Sequence, residues 1–398
     1  MDSRQIIYDT FLKKFEDTSR SSIGVELEFP MVNTANAPVD EPLMHKMLES
    51  FLCRDFKAEE YDREGNPVFI SDKNDDVLSF DNSYNNFEFS MGKADNLTDV
   101  ADRFYVLLDR VQSFLKPYGY ELKGVGTNPN KDYITSSPVS FEIYSLIKTF
   151  LSQFQGGRYH SYIDFPAYLS SVQTHLDVPI ERLPMALTLF AKLDFARGIM
   201  FANSPAFGEE KNKMPSCTCF RDYLWENSGF GSLNDNVGKV DETFETIDDI
   251  IDAIGRRSMF YNSTGLIKPV TVMEYFKTNP ASDMEYYLSF KNMEVTRRGT
   301  LEVRSDCAQP FDRAFAPPAF NLGVMCALDE CKEITDRFFK DNNITKTNTE
   351  LRNNVIYHGI MPAPQKATDD FIGQLKNVAY NALVKRGKGE EKLLKVIL

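Results

Sequence analysis

Residues 23–30 read IGVELEFP, and the alternation is strict: Ile23, Val25, Leu27 and Phe29 are apolar, with Glu26 and Glu28 between them. Successive side chains of a β-strand point to opposite faces, so this stretch has one greasy face and one that carries two carboxylates. Those carboxylates stand roughly 7 Å apart along the strand. At an effective dielectric near 20 they repel by about 2 kcal/mol. Something else must offset that repulsion.

The same pattern recurs three times. In NNFEFSMG (85–92), Phe87 and Phe89 share one face and Glu88 takes the other, with Asp81 seven residues upstream. In SSVQTHLDVP (170–179), Val172, Thr174, Leu176 and Val178 face one side and Gln173, His175 and Asp177 the other. In GTLEVRSD (299–306), Leu301 and Val303 alternate with Glu302 and Arg304. One strand with alternating glutamates ordinarily shows them to solvent; four such strands together point to a site. The economical arrangement is an α+β fold: a single sheet with helices on its apolar side and its polar side open as a concave site.

Crowding Glu26, Glu28, Asp81, Glu88 and Glu302 onto one surface is severely unfavourable unless cations neutralise them. Carboxylates with an amide oxygen and few thiols suit a hard cation, Mg²⁺ or Mn²⁺, and not zinc. Mg²⁺ keeps water and binds phosphate as well as carboxylate, so such a face with an arginine beside it points to nucleotide phosphoryl chemistry. No GxxxxGK[ST] motif occurs, which excludes a P-loop. His175 alone reads as a hydrogen-bonded structural histidine. The Arg297–Arg298 pair reads either as surface charge or, with Arg304, as contacts to the nucleotide.

The chain has 398 residues, 42% of them hydrophobic and 26% charged, an ordinary globular composition. That length suggests roughly two or three domains. The Asp-, Asn- and Gly-rich segments at 32–42, 205–215 and 229–242 look like surface loops and not linkers, however, so residues 1–398 read as one domain. A net charge of −13 argues against nucleic-acid or anionic-membrane partners. The N-terminus, MDSRQIIYDTFLKKFEDTSR, is an amphipathic helix pattern and not a signal peptide. Six scattered cysteines fit reduced thiols and a cytoplasmic protein, and Cys217-x-Cys219 lacks the second ligand pair of a zinc site. Helices are expected over 3–19, 96–119, 181–203 and 243–254, from the Pro317-Pro318 pair to about 340, and again from Thr368 to the basic C-terminal end. Gly156-Gly157 reads as a turn.

An ordered set of segments resembles the glutamate–cysteine ligase superfamily, most closely its plant and actinobacterial type. They are IGVELEF, NNFEFS, GVGTNP (124–129), GGRYHSYI (156–163), SSVQTHLDV, MFANSPAF (200–207), FRDYLWEN (220–227) and RRGTLEVRSDCAQPF (297–311), spread over residues 20–330. The resemblance implies a curved, mainly antiparallel sheet like the glutamine synthetase catalytic domain, with the site on its concave face. It implies ATP-dependent ligation of glutamate's γ-carboxylate to the amine of cysteine through an acyl phosphate; the oligomeric state is left between monomer and homodimer. By motif position Glu26, Glu28, Asp81, Glu88, Gln173 and Glu302 match Mg²⁺ ligands, and Arg304 matches the residue that stabilises the transferring phosphoryl group. Arg221 and Trp225 fall in a stretch near the amino-acid substrates. His175 is counted with them and departs from the family, whose closest members usually have Asn there. A γ-glutamyl ligase using another amine would carry the same motifs. Readings from other classes are a non-catalytic divalent-cation binder and a guanidino kinase.

Overall fold

A computed structural model describes residues 2–17, 22–52, 54–131, 138–154 and 159–398. Cys53 and the Gly156-Gly157 turn lie outside the described residues. The first strands are β1 (Ile23–Asn33), β2 (Lys57–Tyr61), β3 (Pro67–Ser71), β4 (Val77–Phe80) and β5 (Asn86–Ala94). Then come β6 (Tyr120–Leu122), β7 (Ser171–Leu176), β8 (Val237–Gly238), β9 (Ser258–Asn262) and β10 (Gly265–Thr271). The last are β11 (Phe290–Lys291), β12 (Met293–Val295) and β13 (Leu301–Cys307).

Nine of these form one open sheet in the order β12-β13-β7-β1-β5-β4-β3-β2, with β6 also paired to β1. Every pairing in it is antiparallel. The four alternating segments are therefore contiguous: β13, β7, β1 and β5 lie side by side at its centre. Their apolar residues, among them Leu27, Phe29, Phe89, Val172, Leu176, Leu301 and Val303, are all fully buried. Phe104, on the helix Leu97–Leu115, packs its ring 5.8 Å from Phe29 and 5.1 Å from Phe89. Burying one such ring contributes roughly 1.5–3 kcal/mol.

The helix expected over 96–119 runs Leu97–Leu115, capped by the Asn96 side chain on the Thr98 N–H and closed at Gly119, whose φ is +76°. Others differ from expectation. The N-terminal helix passes from α (Ser3–Ile7) through a π turn (Tyr8–Leu12) into a 3₁₀ turn that ends at Phe15. The stretch 181–203 holds two helices, Leu183–Lys192 and Asp194–Phe201. Asp194 opens the second and turns its carboxylate inward, onto Arg197, Ser305 and Arg352. The helix expected from the Pro317-Pro318 pair to about 340 likewise divides, into Ala316–Cys326 and Leu328–Asp341. The C-terminal helix spans Gln365–Arg386, where Gly387 at φ +68° stops it. A helix at Glu41–Leu52 begins inside the expected 32–42 loop. Helices Glu142–Ser152 and Asn348–His358 had no expectation at all. The C-terminal helices join the same core, with Phe371 stacked 4.1 Å from Phe338 and 6.0 Å from Phe195. Among the described residues, no helix is long and apolar enough to cross a membrane.

Candidate active site

Cross-strand register gathers the polar face. Glu26 of β1 stands opposite Gln173 on β7 and Ser90 on β5, and Glu28 stands opposite Glu88. His175 stands opposite Glu302 on β13, which stands opposite Glu294 on β12. Facing residues have Cβ atoms about 5 Å apart, so one row of polar side chains crosses five adjacent strands.

The row closes into two groups. In the first, ligand-type atoms of Glu26, His175 and Glu302 all lie within 4.8 Å of one another. His175 Nε2 is 3.2 Å from Glu26 Oε1 and 3.9 Å from Glu302 Oε1, while its Nδ1 meets the Thr300 hydroxyl at 3.0 Å. Arg298 donates to the same Glu26 oxygen at 2.6 Å. Burial would raise the Glu26 pKa, but His175 and Arg298 outweigh it and hold the carboxyl well below its usual range. Burial likewise opposes charge on His175, yet Glu26 and Glu302 leave its pKa raised.

In the second group Glu28 accepts from the Ser171 N–H at 2.9 Å and from Gln173 Nε2 at 2.7 Å. Asp81, just past β4, is pushed up to about 7 by burial and by Glu28. Burial also raises Glu28, against the pull of Arg221. Glu88, bonded by the Ser90 hydroxyl, lies well above its ordinary value through burial and the neighbouring Glu26, Asp81 and Glu28. Gln173 is 5% exposed, and its Oε1 has no hydrogen-bond partner among the described residues. Acids forced to hold protons and an orphaned amide oxygen describe a surface short of positive charge.

Arg304 sits between the acids and a side pocket. Its Nη1 donates to the Ser289 carbonyl at 3.2 Å and lies 3.6 Å from Glu294; its Nε is 3.9 Å from Glu302. Burial opposes its charge, but Glu302 and Glu294 keep it firmly protonated. A cleft of about 230 Å³ runs over Glu26, Gln173, His175, Arg297, Glu302 and Arg304. A smaller pocket, reached from Arg304, is lined by Arg221, Trp225, Phe290 and Asn292, with the Trp225 and Phe290 rings stacked 4.5 Å apart. A third cleft, about 320 Å³, lies across Glu26, His175 and Arg298 and is bordered by Val77, Met91 and Lys93.

Of the site residues singled out from sequence, Glu26, Gln173, His175, Arg221, Trp225, Arg297, Arg298, Glu302 and Arg304 line these clefts, and Glu28, Asp81 and Glu88 form the second group beside them. Arg297 lies at the rim, with its Nη1 on the Met284 carbonyl. Sequence reasoning missed Glu294, which Arg257 holds at 2.8 Å. The signal was present: in NMEVT the glutamate alternates with buried Met293 and Val295, as in the four segments that were recognised. It also missed Asn292, Phe290 and Thr300, which carry no such pattern.

No family model matches the sequence, and no curated protein matches it. Solved structures do. A glutamate–cysteine ligase from Francisella tularensis in complex with AMP is similar at 13% identity and a TM-score of 0.49, over 95% of this chain and 81% of that one. A bifunctional glutathione synthetase from Pasteurella multocida follows at 12% and 0.45; 99% of this chain spans about half of it, 52%. A glutamine synthase homologue is similar at 11% identity and a TM-score of 0.32, over 99% of this chain and 72% of that one.

Proposed function

We propose that the chain is an ATP-dependent carboxylate–amine ligase that joins the γ-carboxylate of glutamate to the amine of cysteine. The observation that carries this reading is the convergence of Glu26, His175 and Glu302 within 4.8 Å beside a buried Arg304. The residues present fit divalent cations. Gln173 Oε1 is an unpartnered buried acceptor, and the acids around it outnumber their cationic partners. Glu26, His175 and Glu302 would hold one Mg²⁺ or Mn²⁺; Glu28, Gln173, Asp81 and Glu88 would hold another. Bound there, the cations supply charge neutralisation of the nucleotide's phosphates. His175 thereby becomes a ligand and not a substrate contact, since its Nε2 faces the two glutamates and not the Arg221–Trp225 pocket.

The chain's own groups do the rest. Arg221 offers a fixed cation to a carboxylate of the amino acid, and the Trp225–Phe290 pair keeps water from that side. The nucleoside lies in the more apolar cleft past Arg298, so that its phosphates cross the acid row. A γ-carboxylate oxygen attacks the γ-phosphorus and ADP leaves; the amine nitrogen then attacks the acyl carbon, phosphate leaves and the amine gives up a proton. Arg304 acts on the first step, its fork stabilising charge that builds on the phosphoryl oxygens.

The test is purified protein with MgATP, glutamate and a panel of amines, followed by ADP release and product mass. We expect γ-glutamylcysteine. Product with another amine alone would reassign the acceptor and leave the ligase chemistry standing. No glutamate-dependent ADP with any amine would overturn it.

A further inference from the structure

We infer that Arg352 is a positioning residue that fixes the separation of Arg221 and Arg304 across the amino-acid pocket. It lies beyond residue 330, outside the sequence segments that resemble known ligases, and the inference rests on the ligase reading above. Arg352 is 1% exposed, in the middle of the helix Asn348–His358. A capping box between Thr347 and Glu350 fixes where that helix begins.

Its guanidinium reaches three segments at once. Nε donates to Asp222 Oδ2 at 2.7 Å, Nη1 to Asp194 at 2.7 and 2.8 Å, and Nη2 to the Ser305 carbonyl at 2.9 Å. Asp222 directly follows Arg221, and Ser305 directly follows Arg304. One planar fork therefore ties together the two backbones that present the pocket's two guanidiniums. Asp194 extends the tie to another polar residue of the pocket wall, because it also accepts from Asn292 Nδ2 at 2.8 Å.

The Ser305 end is where such a tie is needed. The ladder between β13 and β7 slips between Val303 and Asp306, a bulge that frees the strand from regular pairing just after Arg304. At the other end the helix Phe220–Glu226 has only seven residues, too short to hold Arg221 still by itself. Lysine could not replace the fork, since a single ammonium cannot span acceptors on three segments in one plane. A displacement of about 1 Å in a group that orients a substrate costs on the order of 10²-fold in rate.

Arg352→Lys is assayed against the unsubstituted chain for kcat, KM for glutamate, the Mg²⁺ midpoint and the melting curve. We expect KM for glutamate to rise about tenfold with the Mg²⁺ midpoint unmoved, because the acid row makes no contact with Arg352. In Arg352→Ala, millimolar guanidinium should restore much of the glutamate affinity. An unchanged KM for glutamate in a folded Arg352→Lys overturns the inference; so does a parallel drift of KM and Mg²⁺ midpoint with the melting temperature, the mark of general loosening. If neither variant folds, Asp222→Asn, which keeps the volume and takes the charge from the same link, must show the raised KM, and an unchanged value there is equally fatal. Absence of glutamate-dependent turnover in the unsubstituted chain would count against the ligase reading; an active enzyme indifferent to these changes counts against Arg352 alone.

Discussion

Two buried charged regions lie on opposite sides of β13, and they balance their charge differently. Behind the sheet, Asp194, Asp222 and Asp306 meet Arg197, Arg352 and Lys239 at 2.7–3.6 Å. On the open face, Glu26, Glu28, Asp81, Glu88 and Glu302 share Arg298, Arg304 and His175, and several of the acids are pushed up towards protonation. The first region pairs its charges within the chain, although burial still raises the Asp306 carboxyl against the pull of Arg197. The second leaves its charge open. A buried ion that serves the fold needs its partner at hand, because desolvation costs several kcal/mol per ion. An unbalanced cluster is tolerated where a ligand brings the missing charge.

The largest expected effect separates the two regions by activity. Arg304→Ala should lower kcat by roughly 10³-fold, the scale of an arginine serving phosphoryl transfer, with MgATP affinity within a few-fold of normal. Single-turnover kinetics beside nucleotide titration would measure both, and near-normal turnover would remove Arg304 from the chemistry. Asp194→Ala comes next and acts on stability. It takes from Arg197 and Arg352 the buried counter-charge they share and leaves them Asp306 and Asp222 alone, so denaturant unfolding should show a loss of about 3–5 kcal/mol. A loss under about 1 kcal/mol would mean that the network is not closed as described. Glu88→Gln should carry the opposite sign: without divalent cations it relieves repulsion and raises the melting temperature by about 1–3 °C, and added Mg²⁺ then stabilises the variant less than the unsubstituted protein. Destabilisation in both regions alike would erase the comparison.

The open face was legible in sequence because period-two alternation survives without any knowledge of the partners. β1, β5, β7 and β13 could be read as strands, and their polar residues as one face. Distances could not be read. That His175 meets Glu302 depends on the register between β7 and β13, which only the folded sheet sets. Strict alternation would also put Asp306 on the face of Glu302 and Arg304. The bulge after Val303 instead turns Ser305 and Asp306 both to the rear, where they meet Asp194, Arg197 and Asn321. The closed network left no trace at all. A buried arginine such as Arg352 has no periodic signature, and its helix, NTELRNNVIYH, shows no continuous apolar stripe. β2 was equally silent: an edge strand reading KAEEY is mostly exposed and has no apolar side to declare.

The smallest effect follows from the same imbalance and reads through pH. In the cation-free protein Asp81 titrates near 7, with Glu28 and Glu88 also raised. Unfolded, such carboxyls lose their protons near pH 4. Between those values the folded chain holds more protons than the unfolded one, so stability falls as pH rises through the window. His175 works in the same direction: its pKa is raised in the fold, so its contribution is complete below about 6.5 and fades as pH climbs past the raised value. Asp222 and Glu26, both held low, give stability that is lost only as pH falls below about 4, outside the range that matters here. Melting curves in chelator should therefore shift a few degrees downward from pH 5.5 to pH 8. Cations compete with those protons, so the gain in melting temperature on adding Mg²⁺ should be greater at pH 8 than at pH 5.5. A metal-free protein that grew steadily more stable over this range would show that its acids are not crowded, and the reason for assigning them to cations would go with it.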